Sequence, residues 1–194
     1  MQYIKGMQFY QNDKKTAITL GKFDGLHRGH ETLIERVIEH QKNDGVDSVV
    51  FAFDMAPLYE KIKKKKESLI TNEERAGRLF GRVDYLVECP FVEAVSKIEA
   101  ETFIKEILVK QFHAKYIVVG TDFHFGYQKK GDYHMLQQYS GEYGYEVEVI
   151  EKKCYEDREI SSTYIKEEVK KGNMKLVNTA SWIPVYRHRR STIW

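Results

Sequence analysis

Apolar and polar positions along this 194-residue chain follow two alternating periods. Short β-prone runs recur at Thr16–Leu20, Ser48–Phe53, Asp84–Glu88, Tyr116–Val119 and Glu146–Ile150, each the length of one buried strand and too short for a helix. Between them, Leu33, Ile34, Val37 and Ile38, and later Phe103, Ile104, Ile107, Leu108 and Phe112, recur three and four positions apart, the spacing of one buried helix face. Thr71-Asn72-Glu73-Glu74 has the form of a capping box and predicts a helix running from Asn72 to Gly81. Helices are also predicted over Asp132–Tyr143, Thr163–Lys171 and Met174–Ala180, and the stretch after Pro57 reads as a loop running through the lysines that follow. Strands alternating with helices at this spacing predict an α/β fold, a doubly wound, mostly parallel sheet covered on both faces with right-handed crossovers. Such sheets bind ligands beyond the carboxyl ends of their strands, which directs attention to the loop after each apolar run.

Composition narrows the class. With 42% hydrophobic and 31% charged residues and a net charge of +2, the chain reads as a soluble globular protein without the basic excess of a nucleic-acid binder. Its length suits one α/β domain over residues 1–194, with a core from about residue 15 to 180. Positive charge is local: five lysines in the six positions Lys61–Lys66, read as a solvated run, and a basic tail at Arg187–Arg190. Cys89 and Cys154 have neither a metal-binding nor a disulfide-framework spacing. No stretch has the ~20 apolar residues that span a bilayer, and the start at Met1-Gln2-Tyr3-Ile4-Lys5-Gly6 lacks the apolar core of a leader. A cytoplasmic location follows.

The densest chemistry lies between the first strand and the first helix. Gly21-Lys22-Phe23-Asp24-Gly25-Leu26-His27-Arg28-Gly29-His30 places three glycines before the second histidine of a His-x-Gly-His element. At a strand-to-helix turn, free N–H groups and the positive end of the helix dipole attract anions, so this is a candidate phosphate site. It ends in no Gly-Lys-Ser/Thr and has no Gly-x-Gly-x-x-Gly, which excludes a P-loop and a dinucleotide-binding turn. Ser161, Ser162 and Thr163 stand where a helix begins, able either to cap it or to hold phosphates, and Lys166 lies one turn further on. Asp122, Phe123 and Phe125 follow a buried strand; the two rings are either core or ligand-facing.

Three motifs in this order resemble a known family. Gly21–His30, then Gly120-Thr121-Asp122-Phe123-His124-Phe125-Gly126 with Lys130-Gly131-Asp132, then Ile160-Ser161-Ser162-Thr163-Tyr164-Ile165-Lys166 are similar to the signatures of the FAD synthetase (FMN adenylyltransferase) domain of bacterial riboflavin kinase/FAD synthetases, within the His-x-Gly-His nucleotidyltransferases. The resemblance implies a Rossmann-like fold of that type and transfer of AMP from ATP to FMN, giving FAD and pyrophosphate, with Mg²⁺ carried largely on the nucleotide phosphates. ATP and FMN are then the small-molecule partners, with neither nucleic acid nor membrane involved. His27, His30 and Lys166 are implied as catalytic. Gly21, Lys22, Phe23, Asp24, Gly25, Gly29, Ser161, Ser162 and Thr163 are implied on the ATP side, and Asp54, Asp122, Phe123 and Phe125 on the flavin side. Two positions depart from the pattern: Lys166 stands where the family has Arg, and Phe53-Asp54-Met55-Ala56-Pro57 lacks the histidine of the usual Phe-Asp-Pro-His-Pro. In place of the Leu-Gly-Arg-Pro-Tyr that leads into a flavokinase barrel, the chain has Ser181-Trp182-Ile183-Pro184-Val185-Tyr186, so neither that domain nor riboflavin kinase activity is expected. Two alternatives stay open: a related nucleotidyltransferase using another phosphorylated acceptor or CTP, and a flavin- or nucleotide-sensing module without turnover.

Overall fold

The computed structural model describes residues 1–65, 67–155 and 158–182; Lys66, the segment 183–186 and the basic tail Arg187–Arg190 lie outside them. In chain order the elements are β1 (Gln2–Lys5), β2 (Thr16–Gly21), α1 (Arg28–Asp44), β3 (Asp47–Asp54), α2 (Ala56–Lys61), α3 (Asn72–Leu79), β4 (Tyr85–Pro90), α4 (Glu93–Ser96), α5 (Ala100–Thr102), β5 (Ala114–Gly120), β6 (His124–Phe125), β7 (Gly131–Asp132), α6 (Tyr133–Tyr143), β8 (Glu146–Ile150), β9 (Cys154–Tyr155), β10 (Arg158–Glu159), α7 (Ser162–Lys171) and α8 (Met174–Ala180). Six strands form one sheet in the order β1-β4-β3-β2-β5-β8, with every pairing parallel. Two small antiparallel hairpins, β6–β7 and β9–β10, stand apart from it.

The continuous apolar runs of β2, β3 and β5 are explained by burial on both faces. Val49, Phe51, Ile117 and Val119 point to one layer with Phe103, Ile104, Leu108 and Phe112. Their neighbours Val50 and Ala52 pack with Phe23, Leu26, Ile34 and Leu79, while Tyr116 and Val118 pack with Leu33 and Val37. Alternate side chains thus feed opposite layers. The segment Phe103–Gln111 continues α5 as a wider π-helix, a variation that the apolar spacing alone does not reveal. The capping box at Thr71 is present, with the Thr71 hydroxyl accepting from the Glu74 N–H at 3.1 Å and the Glu74 carboxylate accepting from the Thr71 N–H at 2.7 Å.

Two segments differ from their sequence reading. The predicted loop after Pro57 is instead helical up to Lys61 as part of α2, with proline in its first turn, where a fixed φ and a missing N–H cost nothing; six residues are too few to show a periodicity. Gln2–Lys5, read only for the absence of a leader, is an edge strand paired with Tyr85–Glu88.

The chain leaves β2 toward β3 on one side, and β5 later joins on the other. The topological switch point, where a crevice opens beyond the strand ends, lies between β2 and β5. Register aligns Thr19 with Val118, Gly21 with Ala52, and Gly120 with Ile150, so the Gly21 and Gly120 turns emerge side by side.

Candidate active site

The Gly21–His30 turn stores backbone strain and is held by apolar anchors. Phe23, Gly25 and Leu26 have φ of 47°, 89° and 41°, and a non-glycine residue in this region costs about 1 kcal/mol or more. Phe23 and Leu26 are completely buried, and burying such side chains contributes about 1.5–3 kcal/mol each, enough to offset the strain. A Cβ on Gly25 would sit 2.5 Å from Leu69 Cδ1, so any larger residue here must both hold a strained positive φ and displace Leu69. Asp24 joins the turn to its surroundings. One carboxylate oxygen accepts from the Leu69 N–H at 2.8 Å, the other pairs with Lys166 Nζ at 2.5 Å, and its carbonyl accepts from the Ser162 hydroxyl at 2.6 Å.

His27 is the N-cap residue of α1 and His30 lies in its first turn. Their rings stack with centroids 3.7 Å apart, and Phe23 lies against His30 at 4.9 Å. Burial pulls the His27 imidazole down to about 4 although Asp122 and Asp24 pull it up. Burial, then His27 and Arg75, hold His30 well below the usual histidine range. Both rings are therefore neutral near pH 7. Each has an enclosed Nδ1 without a protein partner, so neither is locked by a neighbouring side chain.

The rings open onto a cavity of about 610 Å³ at the switch point. One end is formed by Gly21, Lys22, Gly29, Leu33, Gly120, Ile150 and the helix start at Ser161 and Ser162. The other is apolar: Phe53, Met55, Leu58, Phe91, Val95, Ile98, Phe103, Phe123 and Phe125. Asp122 lies at the rim, its carboxylate paired with Lys152 at 3.2 Å.

The structure therefore brings together Gly21, Lys22, His27, Gly29, His30, Asp122, Phe123, Phe125, Ser161 and Ser162 in one cavity wall. Phe123 and Phe125 serve both readings, since they pack on the main core cluster and also line the cavity. Ser161 caps α7, its hydroxyl accepting from the Tyr164 N–H at 3.2 Å. Phe23, Asp24, Gly25, Thr163 and Lys166 lie outside the wall, as does Asp54, whose carboxylate accepts from the Ala56 N–H at 3.0 Å. Sequence reasoning missed Leu58, Phe91, Val95 and Ile98; apolar residues on short helices and in the connections beside them give no signal that separates ligand wall from core. Lys152 was missed because a lysine after a strand reads as solvated. The tyrosines that crowd the sequence after Gly126 do not reach this wall, where Tyr59 is the sole tyrosine among the described residues.

A parallel sheet with a neutral histidine pair at a helix start over its switch point defines an α/β domain with a ligand crevice beyond its strand ends. The FAD synthetase family model matches residues 9–164, and the chain belongs to that family. It is 30% identical over 165 residues to the bifunctional riboflavin kinase/FMN adenylyltransferase of Escherichia coli (strain K12), covering 84% of this chain and 53% of that protein. The Haemophilus influenzae protein of the same name is 29% identical over 179 residues, 91% of this chain and 58% of that one. The chain thus spans about half the length of these curated relatives. Among solved structures, one described as a macrolide-efflux protein from Streptococcus pneumoniae superposes with a TM-score of 0.82 at 25% identity, covering 95% of this chain and 63% of that one.

Proposed function

We propose that this domain is an FMN adenylyltransferase. A phosphate oxygen of FMN attacks the α-phosphorus of ATP, the bond from that phosphorus to the β-phosphate bridging oxygen breaks, and pyrophosphate leaves with the electron pair. No protein nucleophile is needed; the protein aligns the reactants and stabilises developing charge. The observation that carries the assignment is the stacked, neutral His27–His30 pair facing a cavity that is glycine-lined at one end and apolar at the other. Imidazole N–H groups donating to the α-phosphoryl and bridging oxygens strengthen their bonds as charge grows there. The Gly21 turn and the start of α7 present N–H groups to the nucleotide phosphates, and the apolar end suits the flavin ring, with Asp122 toward its polar part. Lys166 lies outside the cavity wall, tied to Asp24; in this reading it leaves that carboxylate to meet the departing phosphates.

Among the described residues no cluster of three or more metal-ligating side chains exists, and the site's Asp24 and Asp122 are each engaged by a lysine. In this reading Mg²⁺ arrives on the nucleotide phosphates, as the family resemblance implies, and no step is routed through it. No helix among the described residues is long and apolar enough to cross a membrane, and Cys89 and Cys154 are free thiols; both fit a cytoplasmic enzyme.

Incubation with ATP, Mg²⁺ and FMN tests the assignment. Flavin fluorescence falls as FAD forms. Absence of FAD at high enzyme concentration together with turnover of another phosphorylated acceptor overturns it, and tight flavin or ATP binding without pyrophosphate release points to a sensing module.

A further inference from the structure

Beneath the phosphate-binding turn lies a buried polar chain that begins at the edge of the sheet. Tyr3 on β1 donates its phenol hydrogen to the Glu88 carboxylate on β4. Glu88 faces Arg75 of α3 at 3.5 Å, with both side chains about one-twentieth exposed. The guanidinium donates onward to the Lys22 carbonyl at 3.4 Å and to the Asn72 side-chain oxygen at 3.0 Å, and its enclosed Nε has no protein partner. Glu88 and Gly21 both pair with Ala52, so the chain crosses the sheet in the row where β2 ends.

We propose that Arg75 is a positioning residue for the active site: through the Lys22 carbonyl it fixes the turn that presents N–H groups to the nucleotide, and Glu88 with Tyr3 fixes Arg75. This inference rests on the nucleotide-binding assignment above and extends it to three residues outside the cavity wall. The physical case is one of cost. A carbonyl in a strained turn needs a donor that cannot leave, and a planar guanidinium anchored at three points loses less freedom per bond than a lysine ammonium. A buried Arg–Glu pair adds little net stability over apolar residues of the same size, so its position against the turn calls for another role. Arg75 also places a fixed cation near His30, helping to hold that imidazole neutral. The charged and titratable groups facing His30 are its stacking partner His27, from the same helix start, and Arg75 from α3, with Glu88 behind the latter; Phe23, from the turn, is uncharged.

The test compares wild type with Arg75→Met/Glu88→Gln, which removes both charges and strands no carboxylate, and with Arg75→Lys, which keeps the charge without the fork. Titration calorimetry with Mg·ATP reads the turn, and imidazole NMR reads His30; neither requires FAD formation. The double variant is expected to weaken ATP by about tenfold and to move the His30 titration upward, while burial and His27 still keep it below the ordinary range. Arg75→Lys is expected to leave His30 low but still weaken ATP several-fold. A folded double variant with wild-type ATP affinity and His30 titration overturns the proposal. If the double variant does not fold, unchanged ATP affinity in Arg75→Lys overturns it instead. Failure of the wild type to bind ATP refutes the nucleotide assignment on which the proposal rests.

Discussion

Gly25→Ala tests whether the histidine turn is held by sterics as well as by conformation. The residue sits at φ +89°, and an added Cβ meets Leu69 Cδ1 at 2.5 Å and Leu69 Cβ at 3.1 Å. Leu69 Cδ1 can swing aside by side-chain rotation, but Leu69 Cβ moves only with its backbone, whose N–H donates to the Asp24 carboxylate at 2.8 Å. A non-glycine residue at positive φ costs about 1–2 kcal/mol, and forcing extra volume into a packed site adds about 1–3 kcal/mol. The sum, about 2–5 kcal/mol, corresponds to a fall in Tm of about 4–20 °C for a chain of this size. Gly45, which caps the C-terminus of α1, is the internal control: its φ is +67°, but nothing lies within 4 Å of an added Cβ. Gly45→Ala therefore carries only the conformational cost, a fall of about 2–8 °C. Calorimetric melting of the two variants, with ATP affinity measured alongside, reads both parts. Any movement of Leu69 pulls on Asp24, and through it on Lys166 and Ser162, so Gly25→Ala is expected to weaken ATP while Gly45→Ala leaves it unchanged. Equal melting temperatures for the two variants, or intact ATP affinity in Gly25→Ala, would refute the account of how the turn is held.

Two further outcomes are expected. Loss of the imidazole donor in His30→Ala should lower kcat by about a hundredfold while leaving FMN affinity nearly intact; turnover equal to wild type removes His30 from the mechanism. Stability should depend on pH through His27, whose value drops from the ordinary 6.5 to about 4 on folding. The unfolded chain then binds the extra proton, so the stabilisation is complete above pH 6.5 and is lost as pH falls toward 4, by about 3 kcal/mol in all. Melting temperature should fall more steeply for wild type than for His27→Gln as pH drops across that range if the cause is right, and parallel curves would show that another group titrates.

What the sequence determined by itself is local and periodic. Continuous apolar runs such as Ser48–Phe53 and Tyr116–Val119 specify strands buried on both faces, because period and length are properties of a few adjacent residues. The glycines and histidines between Gly21 and His30 mark an anion site for the same reason: a strand-to-helix turn with free N–H groups is a short-range object. Helix-capping signals were equally legible, as Thr71 and Ser161 show by accepting from the backbone N–H three residues on. Only the tertiary structure decided what those pieces meet. The apolar end of the cavity draws on Leu58 and Val95 from two short helices and on Met55, Phe91 and Ile98 from the connections beside them, and an apolar side chain looks the same in sequence whether a core or a ligand covers it. Burial sets the protonation of His27 and His30, and burial depends on how distant segments pack. The chain from Tyr3 through Glu88 and Arg75 to Lys22 joins residues up to 85 positions apart, and each looks like an ordinary surface residue until the sheet order brings them into contact. Periodicity names the elements; the long-range free energy of packing selects which side chains lose water, and that selection makes the strained turn at Gly21–His30 a site with a defined charge and shape.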